Sequence, residues 1–199
     1  MAEQSIYRHL RDYADHLRPE LPMSPHVEIS DGQILMMMSP AGAHDLNAKR
    51  VTTQLDRQIP DGLIAYTATI EHPGATKLRR SDVVVVEEDA MDVPGAVDAT
   101  AVQLAVEIVS PSNPENDYEG KLRDYPIMGI PHYVIIDPRD GTAQNYWKIA
   151  TEGGHSSYSA HVPYVFGDKI AVGDWVIDTG ELRAIRRRND PGATGPRVP

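Results

Sequence analysis

The chain predicts an α/β (α+β) fold, in which helices flank a mixed central β-sheet, with one β-hairpin near the N-terminus and another late in the chain. Three observations carry that expectation. The stretches 3–18 and 44–59 repeat apolar residues at helical spacing. The runs 82–87, 102–109 and 131–137 are short and almost wholly apolar, the pattern of strands buried on both faces. Helical and strand patterns also interleave along the chain, which puts helices against a sheet around one core.

Each element follows from its residues. In 3–18 the recurring Ile6, Leu10, Tyr13 and Leu17 make one narrow stripe. "RPELPMSP" (18–25) is a loop broken by three prolines, and Asp31-Gly32 within "HVEISDGQILMMMS" (26–39) is a hairpin signal. Ala48, Val51, Leu55 and Ile59 line one side of the second helix, 44–59. "GLIAYTATIEH" (62–72) and "SDVVVVEE" (81–88) read as strands, and a Gly- and Pro-containing loop (89–100) leads to the strand 102–109. Ser112, Asn113 and Pro114 are helix-start chemistry for a helix from about 115 to 125, which Pro126 ends or kinks. The strand "IPHYVIIDP" (130–138) precedes the late hairpin, "TAQNYWKI" (142–149) and "SSYSAHVPYVF" (156–166), with Gly153-Gly154 between its arms. A single domain over 1–187 and a disordered Pro/Gly-rich tail over 188–199 complete the expectation.

Composition narrows the chemistry. At 199 residues, 41% hydrophobic and 24% charged, the chain is that of an ordinary globular protein. No apolar run approaches a membrane span and the first residues do not form a signal peptide, so no membrane partner is expected. The absence of Cys excludes disulfides and thiolate zinc sites and fits a cytoplasmic location. Any metal must then use carboxylate, carbonyl or imidazole ligands, which favours Mg²⁺ or Mn²⁺. The net charge of −10 argues against holding nucleic acid by broad electrostatics. Two basic clusters, "TKLRR" (76–80) and "RAIRRR" (183–188), read as solvated edges or tails more readily than as phosphate tracks.

Glu107 stands inside the apolar run "QLAVEIVSPSN" (103–113). An ionised carboxylate there costs several kcal/mol unless a cation or good hydrogen bonds compensate it. It is either a partnered structural acid or a site acid. Asp82 opens the Val-rich strand, and if the two strands are neighbours the carboxylates project toward one point. On a helix, Tyr118, Lys121, Leu122, Tyr125 and Met128 share one arc, so Lys121 lies within the stripe that packs on the sheet. Lys121 is either a snorkelling lysine or an ammonium aimed at the acids. Tyr125 and Tyr133 read as core.

"SDVVVV", "VEIVSPSN", "DYEGKLRDY" and "GIPHYVIIDP", in this order and spacing, resemble the Uma2 family, a domain of unknown function assigned to the PD-(D/E)xK restriction-endonuclease-like superfamily. "HVEISDGQILMMMSPAGAH" resembles that family's N-terminal hairpin and the His after it, and the likeness spans roughly residues 20–180. It implies a restriction-endonuclease-like sheet. It also implies a Mg²⁺- or Mn²⁺-dependent endodeoxyribonuclease with DNA as substrate and Asp82, Glu107 and Lys121 as catalytic residues. Asp82 and Glu107 would hold the metal, Glu28 would extend the metal site, and Lys121 would position or activate the attacking water. Ser81 replaces the Pro of the superfamily pattern, and Val109 stands where a simple E-x-K has Lys, so the lysine comes from the helix. Against these roles, Glu28 also reads as a surface strand acid and His44 as a helix-start residue near the cleft.

Two functions stand side by side, a metal-dependent endonuclease and a nuclease-fold binding or regulatory module without turnover. Glycoside hydrolysis by two carboxylates leaves Lys121 unexplained. A homodimer is expected through the late hairpin, whose Tyr146, Trp147, Tyr158, Tyr164 and Phe166 are a large share of the aromatics, although these rings also suit a cap on the sheet.

Overall fold

The structure, a computed structural model, describes residues 2–17, 26–37 and 42–185. The expected proline loop 18–25 and tail 188–199 lie outside these residues. The chain begins with α1 (Ala2–Leu17), the hairpin β1 (His26–Ser30) and β2 (Gln33–Met37), and α2 (Ala43–Asp56). Then come β3 (Leu63–His72), β4 (Lys77–Glu87), the two-residue β5 (Val97–Asp98) and β6 (Val102–Ile108). A π-helical turn, Asn116–Lys121, runs into α3 (Leu122–Ile127). The strands β7 (His132–Asp137), β8 (Thr142–Glu152) and β9 (His155–Val165) precede a small hairpin, β10 (Lys169–Val172) and β11 (Trp175–Asp178).

Nine strands form one mixed sheet in the order β2-β1-β4-β6-β7-β8-β9, with β3 paired to both β4 and β5. β6 and β7 run parallel, and the crossover that a parallel pair requires carries the π turn and α3. Asp31 and Gly32 turn the first hairpin with φ of 52° and 70°, the pair of positive values that a two-residue turn of matching twist needs.

Alternation along the strands divides the core between two faces. Val83, Val85, Leu104, Val106, Val134 and Ile136 pack with Val51 and Leu55 of α2 and with Ile170 and Ile177 of the last hairpin. Val84, Val86, Ala105, Tyr133 and Ile135 pack under Tyr125 and Met128 on the other face. α1 closes a third cluster, in which Tyr7 and Ala14 meet Val27, Ile29 and Leu78.

Several expectations change. The buried stripe of α1 is rotated: Tyr7 and Ala14 are buried, whereas Ile6 and Tyr13 are more than half exposed. The Tyr7 hydroxyl donates to Glu71 Oε1 at 2.6 Å, which secures the ring that periodicity alone passed over. β4 starts at Lys77, so most of the "TKLRR" cluster is strand, and Lys77 and Arg79 are buried instead of lying on a solvated edge. The hairpin β10–β11 was absent from the sequence reading; its signal, Ile170, Val172 and Ile177 around Gly173-Asp174, is too short to separate from loop. The helix does not stop at Pro126 but one residue later. There Gly129, with φ of 82°, lets its N–H donate to the Pro126 carbonyl while Ile130 donates to Tyr125, a paired C-terminal stop. The late hairpin's rings mostly face inward. Tyr146 and Tyr158 pack around Tyr133, and Tyr164 and Phe166 pack on the opposite core, all four partly buried, as a cap on the sheet places them.

Candidate active site

The site begins with an irregularity in β4. Val84 lies opposite Tyr66 and Ser81 opposite Ala68, so Asp82 and Val83 together face the single residue Thr67. This is a β-bulge, a device that re-aims side chains and breaks alternation. Its consequence is visible in Arg79. Strict alternation would send Arg79 to the α2 face with Val83 and Val85, yet it reaches Asp124 of α3. The Thr67 hydroxyl donates to the Asp82 carbonyl at 2.8 Å and holds the bulge in place.

On its other side β4 keeps register with β6, pairing Val83 with Val106 and Val84 with Ala105, which carries Asp82 to the level of Glu107. The two acids meet across the strands. The Asp82 N–H donates to Glu107 Oε2 at 3.4 Å, and the Ile108 N–H donates to Asp82 Oδ2 at 2.8 Å. His44, in the first turn of α2, sets its Nε2 3.0 Å from the same Asp82 Oδ2. Burial would raise the Asp82 carboxyl, but His44 and Lys121 outweigh it and hold it below the ordinary value. The same contact, with Asp45, raises His44 against its own burial.

Glu107 is fully buried. Its Oε2 accepts from Lys121 Nζ at 2.7 Å and its Oε1 from the Tyr125 hydroxyl at 2.5 Å. Burial pushes its carboxyl well above the ordinary value; Lys121 opposes this, and Asp82 and Asp117 add to it. The Lys121 ammonium also lies 3.1 Å from Asp117 Oδ1. Although burial works against its charge, Glu107, Asp117, Glu28 and Asp82 raise its pKa well above the lysine value. A snorkelling lysine would reach water; this one is 4% exposed and points inward.

The structure brings Asp82, Glu107 and Lys121 together with His44 beside them. Glu28 lies behind, with Lys121 Nζ 3.8 Å from its Oε1. Its Oε2 accepts from Arg79 Nη1 at 2.7 Å and Asn116 at 3.3 Å, and its Oε1 from the Arg80 N–H at 3.1 Å. A cation on Glu28 would have to displace a guanidinium. Arg79 in turn binds Asp124 at 2.5 Å, and Lys77 approaches Asp124 at 3.1 Å. Sequence reading missed this second layer and missed Asp117. The spacing signals were present, Asp117 four residues before Lys121 and Lys77 two before Arg79, but nothing local said that these charges were buried.

The cluster opens into a cleft of about 730 Å³ lined by Asp82, Asp117, Lys121, His44, Arg80 and Met37 among others. Arg79 and Lys77 balance Glu28 and Asp124, which leaves Asp82, Glu107 and Asp117 facing Lys121. Three carboxyl groups then share one ammonium, the kind of excess that a divalent cation complements, while burial opposes the ionisation of Glu107 and Asp117. Among the described residues no three or more His, Asp or Glu form a ready cage for a metal. Mg²⁺ does not need one: one or two carboxylates suffice, with waters and substrate phosphate completing its shell. The hard-oxygen pair Asp82/Glu107 therefore fits Mg²⁺ or Mn²⁺.

No curated protein matches the chain. The crystal structure described as "a putative nuclease belonging to DUF820", from Anabaena variabilis, is similar at 15% identity and a TM-score of 0.58, covering 85% of this chain and 92% of that one. At that identity the likeness is one of fold, and it gives the mixed sheet between helices a nuclease-like counterpart. The model of the Uma2 family, described as "Putative restriction endonuclease", matches residues 11–172. That span covers most of the chain and contains both strands, the π turn and every charged residue of the cluster: the chain belongs to the Uma2 family.

Proposed function

We propose that residues 1–187 form a single-domain, Mg²⁺- or Mn²⁺-dependent endonuclease that hydrolyses DNA phosphodiester bonds, with Asp82, Glu107 and Lys121 as its catalytic residues. The observation that carries this reading is a buried lysine side chain 2.7 Å from the buried carboxyl of Glu107, with the Asp82 carboxyl facing it from the neighbouring strand. The family's description supports the reaction class. Asp82 and Glu107 would hold the metal, which when bound polarises the phosphodiester and lowers the pKa of a water.

The chain's own residues do the rest. The Tyr125 hydroxyl on one oxygen of Glu107, and the Ile108 N–H with His44 on one oxygen of Asp82, fix the two carboxylates in orientation. Lys121 would neutralise charge that grows on the phosphoryl oxygens, an effect often worth about 3 kcal/mol. Water adds its oxygen to phosphorus, the ester P–O bond breaks, and the products are a phosphate terminus and a hydroxyl terminus.

The second reading, a binding or regulatory module on the same scaffold, is favoured by the net charge of −10, which repels a polyanion. A cleavage assay on supercoiled plasmid and on single-stranded DNA separates the two. With Mn²⁺ or Mg²⁺ the substrate is cut, chelator stops the reaction, and Lys121→Met lowers the rate at least about 100-fold. No cutting by a folded protein that still binds Mn²⁺ would overturn the nuclease reading in favour of the module.

A further inference from the structure

We infer that Asp117 is a positioning residue for Lys121: it keeps the ammonium at the site when Glu107 turns to a metal ion, an inference that rests on the reading above. Lys121 Nζ is divided between two carboxylates, at 2.7 Å from Glu107 Oε2 and 3.1 Å from Asp117 Oδ1. Both oxygens of Glu107 are engaged, one by Tyr125 and one by Lys121. A cation held by Glu107 therefore competes with the ammonium for the same carboxylate. The third acid within reach, Glu28, is 3.8 Å away and already holds Arg79. Asp117 is the partner left to Lys121.

Its placement suits that task. Asp117 and Lys121 sit four residues apart on the same π turn, so one element carries both groups. That turn is tied to the strand of Asp82, because Arg79 Nη1 donates to Asn116 Oδ1 at 3.0 Å. Asp117 is buried except for the side that lines the cleft. Without it, Lys121 would rest on Glu107 alone and act as a standing competitor of the metal. The plainer role, a buried acid that only offsets a buried lysine, predicts unchanged metal binding even while Lys121 is present. A direct metal ligand predicts the same loss whether Lys121 is present or not.

A thermodynamic cycle distinguishes these roles. Mn²⁺ alone is titrated calorimetrically into the unmodified protein, Asp117→Asn, Lys121→Met and the double variant, with the melting temperature of each taken in metal-free buffer. Asp117→Asn weakens Mn²⁺ binding about tenfold when Lys121 is present and less than about twofold in the Lys121→Met background, a coupling of ordinary size for contacting groups. On a single-stranded oligonucleotide the same variant lowers kcat at least about tenfold with little change in KM, and Asp117→Glu restores part of it. Equal weakening in both backgrounds would make Asp117 a ligand and overturn the inference. So would unchanged Mn²⁺ affinity and kcat beside a lowered melting temperature. If Asp117→Asn does not fold, Lys121→Met and the double variant carry the test, because unequal Mn²⁺ affinities between those two overturn the inference as well. An unmodified protein that binds no Mn²⁺ at millimolar concentration would instead sink the metal-dependent reading, and this inference with it.

Discussion

Glu107 is an acid in a strand whose other residues are buried and apolar, and three groups compensate it: an ammonium, a phenol and a backbone N–H. Burial and the neighbouring acids oppose its charge while Lys121 supports it, so its ionised form is held only weakly. Glu107→Gln keeps the shape and removes one of the three acids that face Lys121. Lys121 retains Asp117 as partner, so the variant is expected to fold. In the unmodified protein, millimolar Mg²⁺ or Mn²⁺ should raise the melting temperature by binding the folded state alone. In Glu107→Gln that rise should vanish, as measured by thermal unfolding with and without metal. A rise of undiminished size in the variant would place the metal elsewhere.

At the scale of elements, the bulge in β4 and the π turn before α3 decide where side chains point. A π turn interrupts the regular helical ladder, and such turns recur at functional sites. Here it buries Asn116, Asp117 and Lys121 together. Gly120 lies within it, and a Cβ there would stand 3.1 Å from Asn116 Oδ1 and 3.2 Å from Arg79 Nη2. Neither neighbour can yield easily, since Arg79 is bound to Glu28 and Asp124, and Asn116 is bound to Arg79 and Glu28. Alanine is favoured over glycine in a helix by about 1 kcal/mol. The clash should outweigh that gain, and Gly120→Ala is expected to lower stability by about 1–3 kcal/mol in urea unfolding. A variant as stable as its parent would show that the Arg79 layer is looser than its hydrogen bonds indicate.

Across the whole molecule, ion pairs hold carboxylates in their charged form, Asp124 with Arg79 some 45 residues away and Asp137 with Arg139 two residues on, and this gives stability a definite acid dependence. Burial would raise Asp124, but Arg79, Ser30 and Lys77 hold it below its ordinary value; burial would raise Asp137, but Arg139 and Tyr118 hold it down likewise. A carboxylate with a depressed pKa in the folded state adds stability that is fully present above the unfolded value, here 3.8, and is lost as pH falls through the lower folded value. The urea midpoint should therefore fall steeply below about pH 4. Removing the Asp137 pair by Asp137→Asn should flatten that slope. An unchanged slope would mean that other carboxylates dominate acid unfolding. Among the described residues no helix is long and apolar enough to cross a membrane.

The sequence by itself determined the order of the longer strands and helices, the place of Glu107 inside an apolar strand and the family resemblance, because these depend on local periodicity and on short motifs. It also put Asp82 and Glu107 in consecutive long strands, which tend to pair. It could not show the bulge at Asp82, the π turn or the rotation of α1 by one residue, because each is a local departure from regular geometry stabilised by partners far along the chain. Thr67, Arg79 and Glu71 are those partners. Nor could it show that "TKLRR" turns inward. Lys and Arg are rarely buried without partners, and the acids that make burial tolerable, Glu28 and Asp124, stand about 50 residues before and 45 after Arg79. Tertiary structure alone decided which charges meet. The energy of a buried ion pair depends on its distance and desolvation, and neither is a property of a stretch of sequence.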